Sequence, residues 1–228
     1  MGKKNNDLKE VAYNELKERL IKCKYTPGSI LNETQIGEEF GLSRTPVREA
    51  ISRLEMEGYL KVLPKKGILV TEISLDDVIQ IFQARIEIEP VALKMSIPYL
   101  DPKELLKFKK YFEVTPGDSE FINSFDMDTQ MHLYIINNCR NDYIIDMMHR
   151  VYDHNTRVII SSKENEKHFD EARVQHLGIL NSILQNDDPE YSASLMRKHI
   201  LTCKKFALDN FYSVCWSKTE SGSVEASH

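Results

Sequence analysis

Residues 43–55 read Ser-Arg-Thr-Pro-Val-Arg-Glu-Ala-Ile-Ser-Arg-Leu-Glu, and this stretch decides the fold of the N-terminal part of the chain. Its apolar residues fall at i, i+3, i+4 and i+7, the spacing of one helix face; they are Val47, Ala50, Ile51 and Leu54. Ser43 stands where an N-cap is needed, and Pro46 lies in the first turn, where a missing N–H costs nothing. The side chains off the apolar face are Arg44, Thr45, Arg48 and Ser52. Guanidinium and hydroxyl groups bind phosphates and guanine edges, so the stretch predicts a helix that lies against DNA.

The flanking sequence decides between this interpretation and an ordinary solvated amphipathic helix. Residues 32–40 begin at a capping-type Asn and place Ile36 and Phe40 four apart, which predicts a shorter helix. The turn at Gly41-Leu42 then joins the two helices. Two short helices joined by a turn that contains glycine form a helix-turn-helix, whose second helix enters the major groove.

A β-hairpin is predicted directly after these helices. Residues 60–63 and 68–70 are short β-prone runs, and Pro64-Lys65-Lys66-Gly67 is a turn sequence between them. We therefore expect a wing that carries Lys65 and Lys66 at its tip, where they can reach a phosphate or the minor groove.

The combined pattern resembles the winged-helix signature of GntR-type bacterial transcription regulators over roughly residues 10–73. The matching residues are Leu42 to Ala50, Leu54-Glu55, Glu57-Gly58, Gly67 and Val70. The resemblance implies that the residues at Arg44, Thr45, Arg48 and Gly67 contact operator DNA. Ser43, Arg53, Lys65 and Lys66 complete the candidate DNA-binding set. Thr34 stands where many members have an arginine, so one family contact is not expected here.

Length and composition indicate two domains with buried cores. The chain has 228 residues, of which 41% are hydrophobic. We expect a mainly α fold: a winged helix-turn-helix over 1–73, an all-α antiparallel helical bundle over 74–216, and a flexible tail over 217–228. The absence of a long apolar run, of a secretory leader pattern and of CxxC spacing predicts a cytoplasmic protein with free thiols and no membrane span.

Charge is unevenly distributed along the chain. The net charge is −5, with 30 basic and 35 acidic residues. Positive charge is nevertheless concentrated in residues 43–67, and the local field matters more for DNA binding than the total charge. The acidic balance therefore does not exclude DNA as a partner.

A second group of residues in the predicted bundle has metal-ligand chemistry. Asp128 and His132 are four residues apart on one helix face, while His176 and His199 lie on two later helices. One carboxylate and three imidazoles suit Zn²⁺, Ni²⁺, Mn²⁺ or Fe²⁺ if they meet. The alternative is that each His is a satisfied core residue, which is the commoner role of a lone buried His.

These residues and their order resemble the C-terminal FCD domain of the fatty-acid-regulator branch of GntR proteins, over roughly residues 78–210. The matching residues are Asp128 to His132, Asn141, His176 and Met196 to His199, with Arg85 and Glu89 on the opening helix. The resemblance implies that Asp128, His132, His176 and His199 are metal ligands. Gln175 stands where many members carry an acid, which changes the charge beside the ligands.

Three polar residues are candidates for an effector pocket: Arg85, Asn141 and Arg157. A pocket arginine pairs with a carboxylate effector. The alternative for Arg85 is a structural ion pair with Glu89, four residues away on the same helix.

Three functions are compatible with these patterns. A metal-dependent enzyme would need a general base or nucleophile beside the metal, and no such motif is found. A helical binding module with a structural metal would leave the winged helix without a role. We therefore expect a regulator and not an enzyme: a homodimer that binds a pseudo-palindromic double-stranded operator under the control of a small carboxylate effector.

Overall fold

The computed structural model describes the backbone of residues 2–114, 121–162 and 166–222, and side chains over 7–114, 126–161 and 170–211. The chain forms two compact units, Met1–Ser74 and Leu75–His228. The mainly α fold class is confirmed, with a small antiparallel sheet in the first unit and helices throughout the described part of the second.

The first unit has three helices and three strands in its described residues. The helices are α1 (Gly2–Ile21), α2 (Glu33–Phe40) and α3 (Arg44–Met56), and the strands are β1 (Ile30–Leu31), β2 (Leu60–Leu63) and β3 (Gly67–Val70). The antiparallel sheet has the order β1-β3-β2. In the β2–β3 hairpin Leu63 pairs with Gly67, so the wing predicted from the sequence is present.

The core of this unit lies between α1, α3 and the sheet. Leu16 and Leu20 of α1 and Val47 and Leu54 of α3 are fully buried, and Val70 of β3 is buried with them. Full burial of such a side chain stabilises the fold by roughly 1.5–3 kcal/mol. The apolar face of α3 is thus used for packing, which leaves its polar face outward.

The turn between α2 and α3 is fixed by local capping. Asn32 caps α2, because its Oδ1 accepts a hydrogen bond from the backbone N of Thr34 at 2.8 Å. Gly41 ends α2 in the left-handed conformation with φ 63°. Ser43 occupies the N-cap position of α3 as expected, but its side chain makes no capping hydrogen bond.

Strand β1 was not expected from the sequence. Ile30 and Leu31 pair with Leu69 and Ile68 of β3. A two-residue strand is too short to show the alternation that identifies a strand. It exists because β3 offers a free edge beside the turn at residues 26–29.

The second unit is a helical bundle. Its helices are α4 (Leu75–Ser96), α5 (Pro102–Glu113), α6 (Phe121–Asn137), α7 (Asp142–Ser162), α8 (Glu166–Leu184) and α9 (Pro189–Gly222), with a short 3-10 helix at Ile97–Tyr99. Helix α4 packs against α6, α7 and α9, and α8 packs against α5 and α9. Asp101 caps α5 through a hydrogen bond from the backbone N of Lys103 at 2.9 Å.

The bundle differs from the sequence expectation at its C-terminal end. We expected a bundle over 74–216 and a flexible tail over 217–228. Helix α9 continues to Gly222, and residues 223–228 lie outside the described part of the chain. Among the described residues, every helix is too short or too polar to cross a membrane.

Candidate DNA-binding surface and metal centre

The outward face of α3 presents the polar residues that the sequence singled out. Ser43, Arg44, Thr45 and Arg48 are exposed, whereas Val47 beside them is fully buried. The first turn of α3 therefore offers hydroxyl and guanidinium groups in the position from which a recognition helix contacts bases.

Two of the arginines in this helix have carboxylate partners. Nε of Arg48 lies 2.8 Å and 2.9 Å from the two carboxylate oxygens of Glu33, on α2. The Arg53 guanidinium lies 3.6 Å from the ring centroid of Tyr13 and 3.1 Å from Oε1 of Glu10. Arg53 is thus held against α1, although the sequence grouped it with the DNA-binding residues.

The wing brings Lys65, Lys66 and Gly67 to the tip of the hairpin. Lys65 and Lys66 are exposed. Gly67 has φ 114°, and a Cβ there would lie 2.7 Å from Cγ2 of Ile30 and 2.8 Å from the carbonyl oxygen of Leu31. Glycine is therefore required at this position by the packing of β1 as well as by backbone conformation.

The four predicted metal-ligand residues meet inside the bundle. Asp128 and His132 of α6, His176 of α8 and His199 of α9 each offer an atom within 4.8 Å of the others. Nε2 of His199 lies 3.2 Å from Nε2 of His132 and 3.1 Å from Nε2 of His176. Oδ1 of Asp128 lies 2.8 Å from Nε2 of His176 and 3.8 Å from Nε2 of His132.

Two of the imidazoles are oriented by residues behind them. Nδ1 of His132 lies 2.6 Å from Oε2 of Glu89, on α4. Nδ1 of His199 lies 3.0 Å from Oε1 of Gln175, whose Nε2 lies 3.2 Å from the hydroxyl of Thr202. A proton on each Nδ1 leaves the Nε2 lone pair facing the cluster, the arrangement typical of metal-binding histidines.

Burial and neighbouring charges shift the pKa values of His199, His176 and Asp128. Burial lowers the pKa of His199 well below its ordinary value, and the neighbouring His176 and His132 lower it further. Burial also lowers the pKa of His176, against the opposing effect of Asp128. Burial alone would raise the pKa of Asp128, but the neighbouring histidines outweigh it and the pKa falls. Neutral imidazoles with an ionised carboxylate are the forms that bind a metal ion.

The donor set fits a divalent transition metal. Two nitrogens bound to one ion at about 2.1 Å lie roughly 3.0–3.4 Å apart, and the two nitrogen pairs given above fall in that range. Each of the three histidines is at most 1% exposed, so bulk water does not solvate the three Nε2 atoms that converge there. Nδ1 of His176 has no hydrogen-bond partner among the described residues, which leaves it able to carry the ring proton when Nε2 binds an ion.

The candidate effector residues are placed differently from one another. Arg85 is 2% exposed, and its Nε lies 2.7 Å from Oε1 of Glu89. Its Nη1 donates to Oδ1 of Asn155 at 3.1 Å, and its Nη2 donates to the Tyr152 hydroxyl at 2.9 Å. Glu89 thus joins Arg85 to His132, and the structural ion pair considered from the sequence is present.

The other two candidates lie on or beside α7. Asn141 precedes that helix, and its Oδ1 accepts a hydrogen bond from the backbone N of Ile144 at 3.3 Å, so it acts as a cap. Arg157 is 3% exposed on the same helix. Of the three candidates, Arg85 is the one that the contacts given above connect to the four-residue cluster, through Glu89 and His132.

Sequence reasoning missed the partners of the site residues. Glu33 beside Arg48 and Glu89 behind His132 had no assigned role at the site, and Gln175 was noted only for its missing charge. Each lies on a different helix from its partner, and those pairings depend on how the helices pack. Two sequence signals could have identified Glu89 and Gln175. Glu89 lies among apolar residues of α4, where a charged side chain needs a buried partner, and Gln175 directly precedes the candidate ligand His176.

Two family models match the chain. The model for bacterial regulatory proteins of the gntR family covers residues 8–70, and the FCD domain model covers residues 80–202, more than half of the chain. The chain belongs to the GntR family and carries an FCD domain. The first of these models describes bacterial regulatory proteins.

Individual relatives agree with this family. The uncharacterized HTH-type transcriptional regulator YdhC of Bacillus subtilis (strain 168) is 31% identical over 148 residues, which are 62% of this chain and 65% of YdhC. The chain thus spans just under two thirds of that relative. The HTH-type transcriptional repressor GlaR of Escherichia coli (strain K12) is 25% identical over 205 residues, 83% of this chain and 91% of GlaR.

A solved structure shares the fold. The structure of E. coli McbR/YncC has a TM-score of 0.76 at 22% identity, and the match covers 90% of this chain and 98% of that one. At this identity the likeness concerns the fold alone.

Proposed function

We propose that this GntR-family chain is a DNA-binding transcription regulator, and that a carboxylate effector bound at a metal centre in its helical unit controls its affinity for operator DNA. The observation that carries the proposal is the meeting of three Nε2 atoms and one carboxylate inside the FCD domain of a chain that also has a winged helix. No general base or nucleophile is needed for such a function.

The DNA-binding half of the proposal rests on exposure and residue type. Arg44, Thr45 and Arg48 on α3 provide groups for bases and phosphates, while Lys65 and Lys66 provide phosphate contacts from the wing. Phosphate contacts position a protein on the duplex, and base contacts provide specificity. We assign the first role mainly to the wing and the second to α3.

The metal half rests on the donor set. Asp128, His132, His176 and His199 would hold the ion, which is Zn²⁺, Ni²⁺, Mn²⁺ or Fe²⁺ by donor chemistry. When bound, the ion supplies a positive charge that attracts an anionic ligand. Asp128 cancels one of its two charges, and Arg85 cancels the charge of Glu89, so the centre keeps one net positive charge.

The surroundings of Arg85 support a carboxylate as the anion. Its guanidinium is buried with the Tyr152 hydroxyl and Asn155 next to the cluster. Nδ2 of Asn155 is buried without a hydrogen-bond partner among the described residues. A buried donor without an acceptor costs about 1–3 kcal/mol, which a polar ligand or water would recover.

We further propose that the regulator acts as a homodimer. A single winged helix reads few bases, whereas two heads read the two halves of a palindromic site. A groove between α4 and α7 is lined by three aliphatic or thioether side chains, one tyrosine and four polar or charged side chains; they are Ile81, Met147, Val151, Tyr143, Gln80, Asp146, Arg150 and His154. Tyr143 at this groove is 90% exposed, and an aromatic side chain so placed is typical of an interface between subunits.

One experiment tests the whole proposal. Binding sites are selected from random double-stranded DNA with metal-loaded protein, and the affinity for the selected site is measured while small carboxylic acids are added. The expected result is a palindromic site and at least one acid that changes the affinity. The variant His176→Ala/His199→Ala should bind the same site without responding to that acid.

Other outcomes contradict separate parts of the proposal. Failure to select any sequence would exclude a specific operator. Equal, near-zero metal content in the wild type and the double variant would remove the metal centre. Bound metal together with an unresponsive affinity would leave a structural metal, because a ligand changes DNA affinity only if it binds one arrangement of the protein better than another.

A further inference from the structure

The exposed face of the helix-turn-helix carries an ion pair that joins its two helices. Both carboxylate oxygens of Glu33, on α2, lie within 2.9 Å of Nε of Arg48, on α3. The Arg48 side chain is 66% exposed, whereas that of Glu33 is 27% exposed. The carboxylate is therefore the less exposed partner, and most of the Arg48 side chain is accessible to solvent.

The position of Glu33 at the start of α2 restricts where its carboxylate can lie. It is the first residue of α2, directly after the N-cap Asn32. A carboxylate in the first turn is stabilised by the helix dipole, and the turn that carries Glu33 is fixed by the hydrogen bond from the backbone N of Thr34 to Oδ1 of Asn32. The carboxylate therefore has a defined position from which it can orient a neighbour.

We propose that Glu33 is a positioning residue for Arg48 and thereby determines base specificity in the operator; this inference rests on the proposed DNA-binding function. Glu33 engages Nε of Arg48, which leaves the Nη1 and Nη2 edge of the guanidinium to contact DNA. That edge carries two parallel donors, which match O6 and N7 of guanine. Glu33 therefore selects the arginine orientation that reads a guanine over orientations that reach a phosphate.

The negative charge of Glu33 also favours base specificity. A carboxylate at a DNA-binding face repels phosphates, so it weakens binding to every sequence. A correctly placed guanine recovers that loss through the bidentate contact, whereas another base does not. Glu33 therefore increases specificity, because it weakens binding to sites that lack this guanine more than binding to sites that contain it.

A simple alternative is that Arg48 leaves Glu33 on binding and contacts a phosphate. In that case Glu33 would reduce affinity without affecting base choice. The two cases differ in one measurable quantity, the discrimination between guanine and other bases at one operator position.

The test uses full-length protein, a site selected by the wild type and the same site with each guanine replaced in turn. Glu33→Gln removes the charge, and Glu33→Asp keeps the charge but shortens the reach. Both variants should lose at least about 5-fold in discrimination at one guanine position, and Glu33→Gln should also bind non-specific DNA more tightly. Glu38→Gln makes the same charge change on an exposed part of α2 and should leave discrimination unchanged.

Dependence on Arg48 provides the second measurement. In Arg48→Ala protein, discrimination at that position should already be lost, and adding Glu33→Gln should not lower it further. Unchanged melting temperatures would separate positioning from folding. The inference is overturned, while the proposed function stands, if the wild type selects a site and both Glu33→Gln and Glu33→Asp keep full guanine discrimination at it. If the wild type selects no site, the proposed function itself fails.

Discussion

Oε2 of Glu89 lies 2.6 Å from Nδ1 of His132, across 43 residues of sequence. The same carboxylate lies 2.7 Å from Nε of Arg85 through its other oxygen. Burial would raise the pKa of Glu89, but the Arg85 guanidinium and the hydrogen-bonded His132 ring outweigh it and hold the pKa at about 2. Glu89 is therefore a buried anion that orients His132 with its Nε2 toward the cluster.

The first prediction follows from this contact. Glu89→Gln should lower the affinity for Zn²⁺ by 10- to 100-fold, a typical effect of losing the carboxylate behind a metal-bound histidine. Competition with a coloured chelator measures it. Glu87→Gln is the matched control, because Glu87 lies on the same helix but is exposed and paired with Arg197. Equal effects in both variants would show that Glu89 has no special role.

The second prediction concerns metal removal. A metal that binds only the folded bundle, at a free concentration of 100 times its Kd, stabilises it by about 2.7 kcal/mol. For a protein of this size that corresponds to a rise of roughly 5–10 °C in Tm. Calorimetry with and without a chelator should show this difference. His176→Ala/His199→Ala protein should melt at one temperature under both conditions.

The third prediction concerns charge at the centre. Gln175→Glu places a carboxylate behind His199, so it should raise metal affinity and weaken the binding of anionic ligands to the metal-loaded protein. Isothermal titration with zinc and then with a responsive acid separates the two effects. Gln175→Leu should lower metal affinity, since Nδ1 of His199 loses its acceptor. A parallel rise in both affinities would contradict the charge argument.

The fourth prediction separates reading from positioning on DNA. Arg44→Ala should lower discrimination by about 1–3 kcal/mol if Arg44 contacts a guanine. Lys65→Ala and Lys66→Ala should weaken binding to all sequences, and each lost phosphate contact should reduce the slope of log K against log salt by roughly 0.9. An unchanged salt slope in the double lysine variant would mean that the wing does not touch DNA.

The fifth prediction concerns the wing. Gly67→Ala should destabilise the first unit by at least about 2 kcal/mol, because the new methyl group meets β1 and the backbone conformation is strained. Gly58→Ala is the control: its φ is also positive, at 84°, but its Cβ would enter open space, so the cost should be about 1 kcal/mol. Urea unfolding measures both. Equal costs would show that contact with Ile30 is unimportant.

The extent to which the sequence predicted the structure depends on whether a feature is local. Helix α3 was predictable because its apolar spacing, its turn and its first-turn proline are all within a few residues. The spacing of Asp128 and His132 was local in the same way. Their meeting with His176 and His199 was suggested only by the resemblance, because it depends on the packing of three helices.

Features that depend on packing were missed. Strand β1 forms only because β3 offers an edge, and two residues carry no periodic pattern. The pocket role expected for Asn141 stays a prediction, but its role as a cap of α7 was not expected from the sequence. That role became visible only through the distance between Oδ1 of Asn141 and the backbone N of Ile144.

The burial of the histidine cluster also has a kinetic consequence. His132 and His199 are fully buried, and Asp128 is the most exposed member, with 18% of its side chain accessible. The partly exposed Asp128 side and transient separation of α6, α8 or α9 are the routes by which an ion can reach the three Nε2 atoms, so burial restricts exchange. We therefore expect metal release to be slow even where affinity is moderate, so that a regulator would retain its ion through many cycles of effector binding.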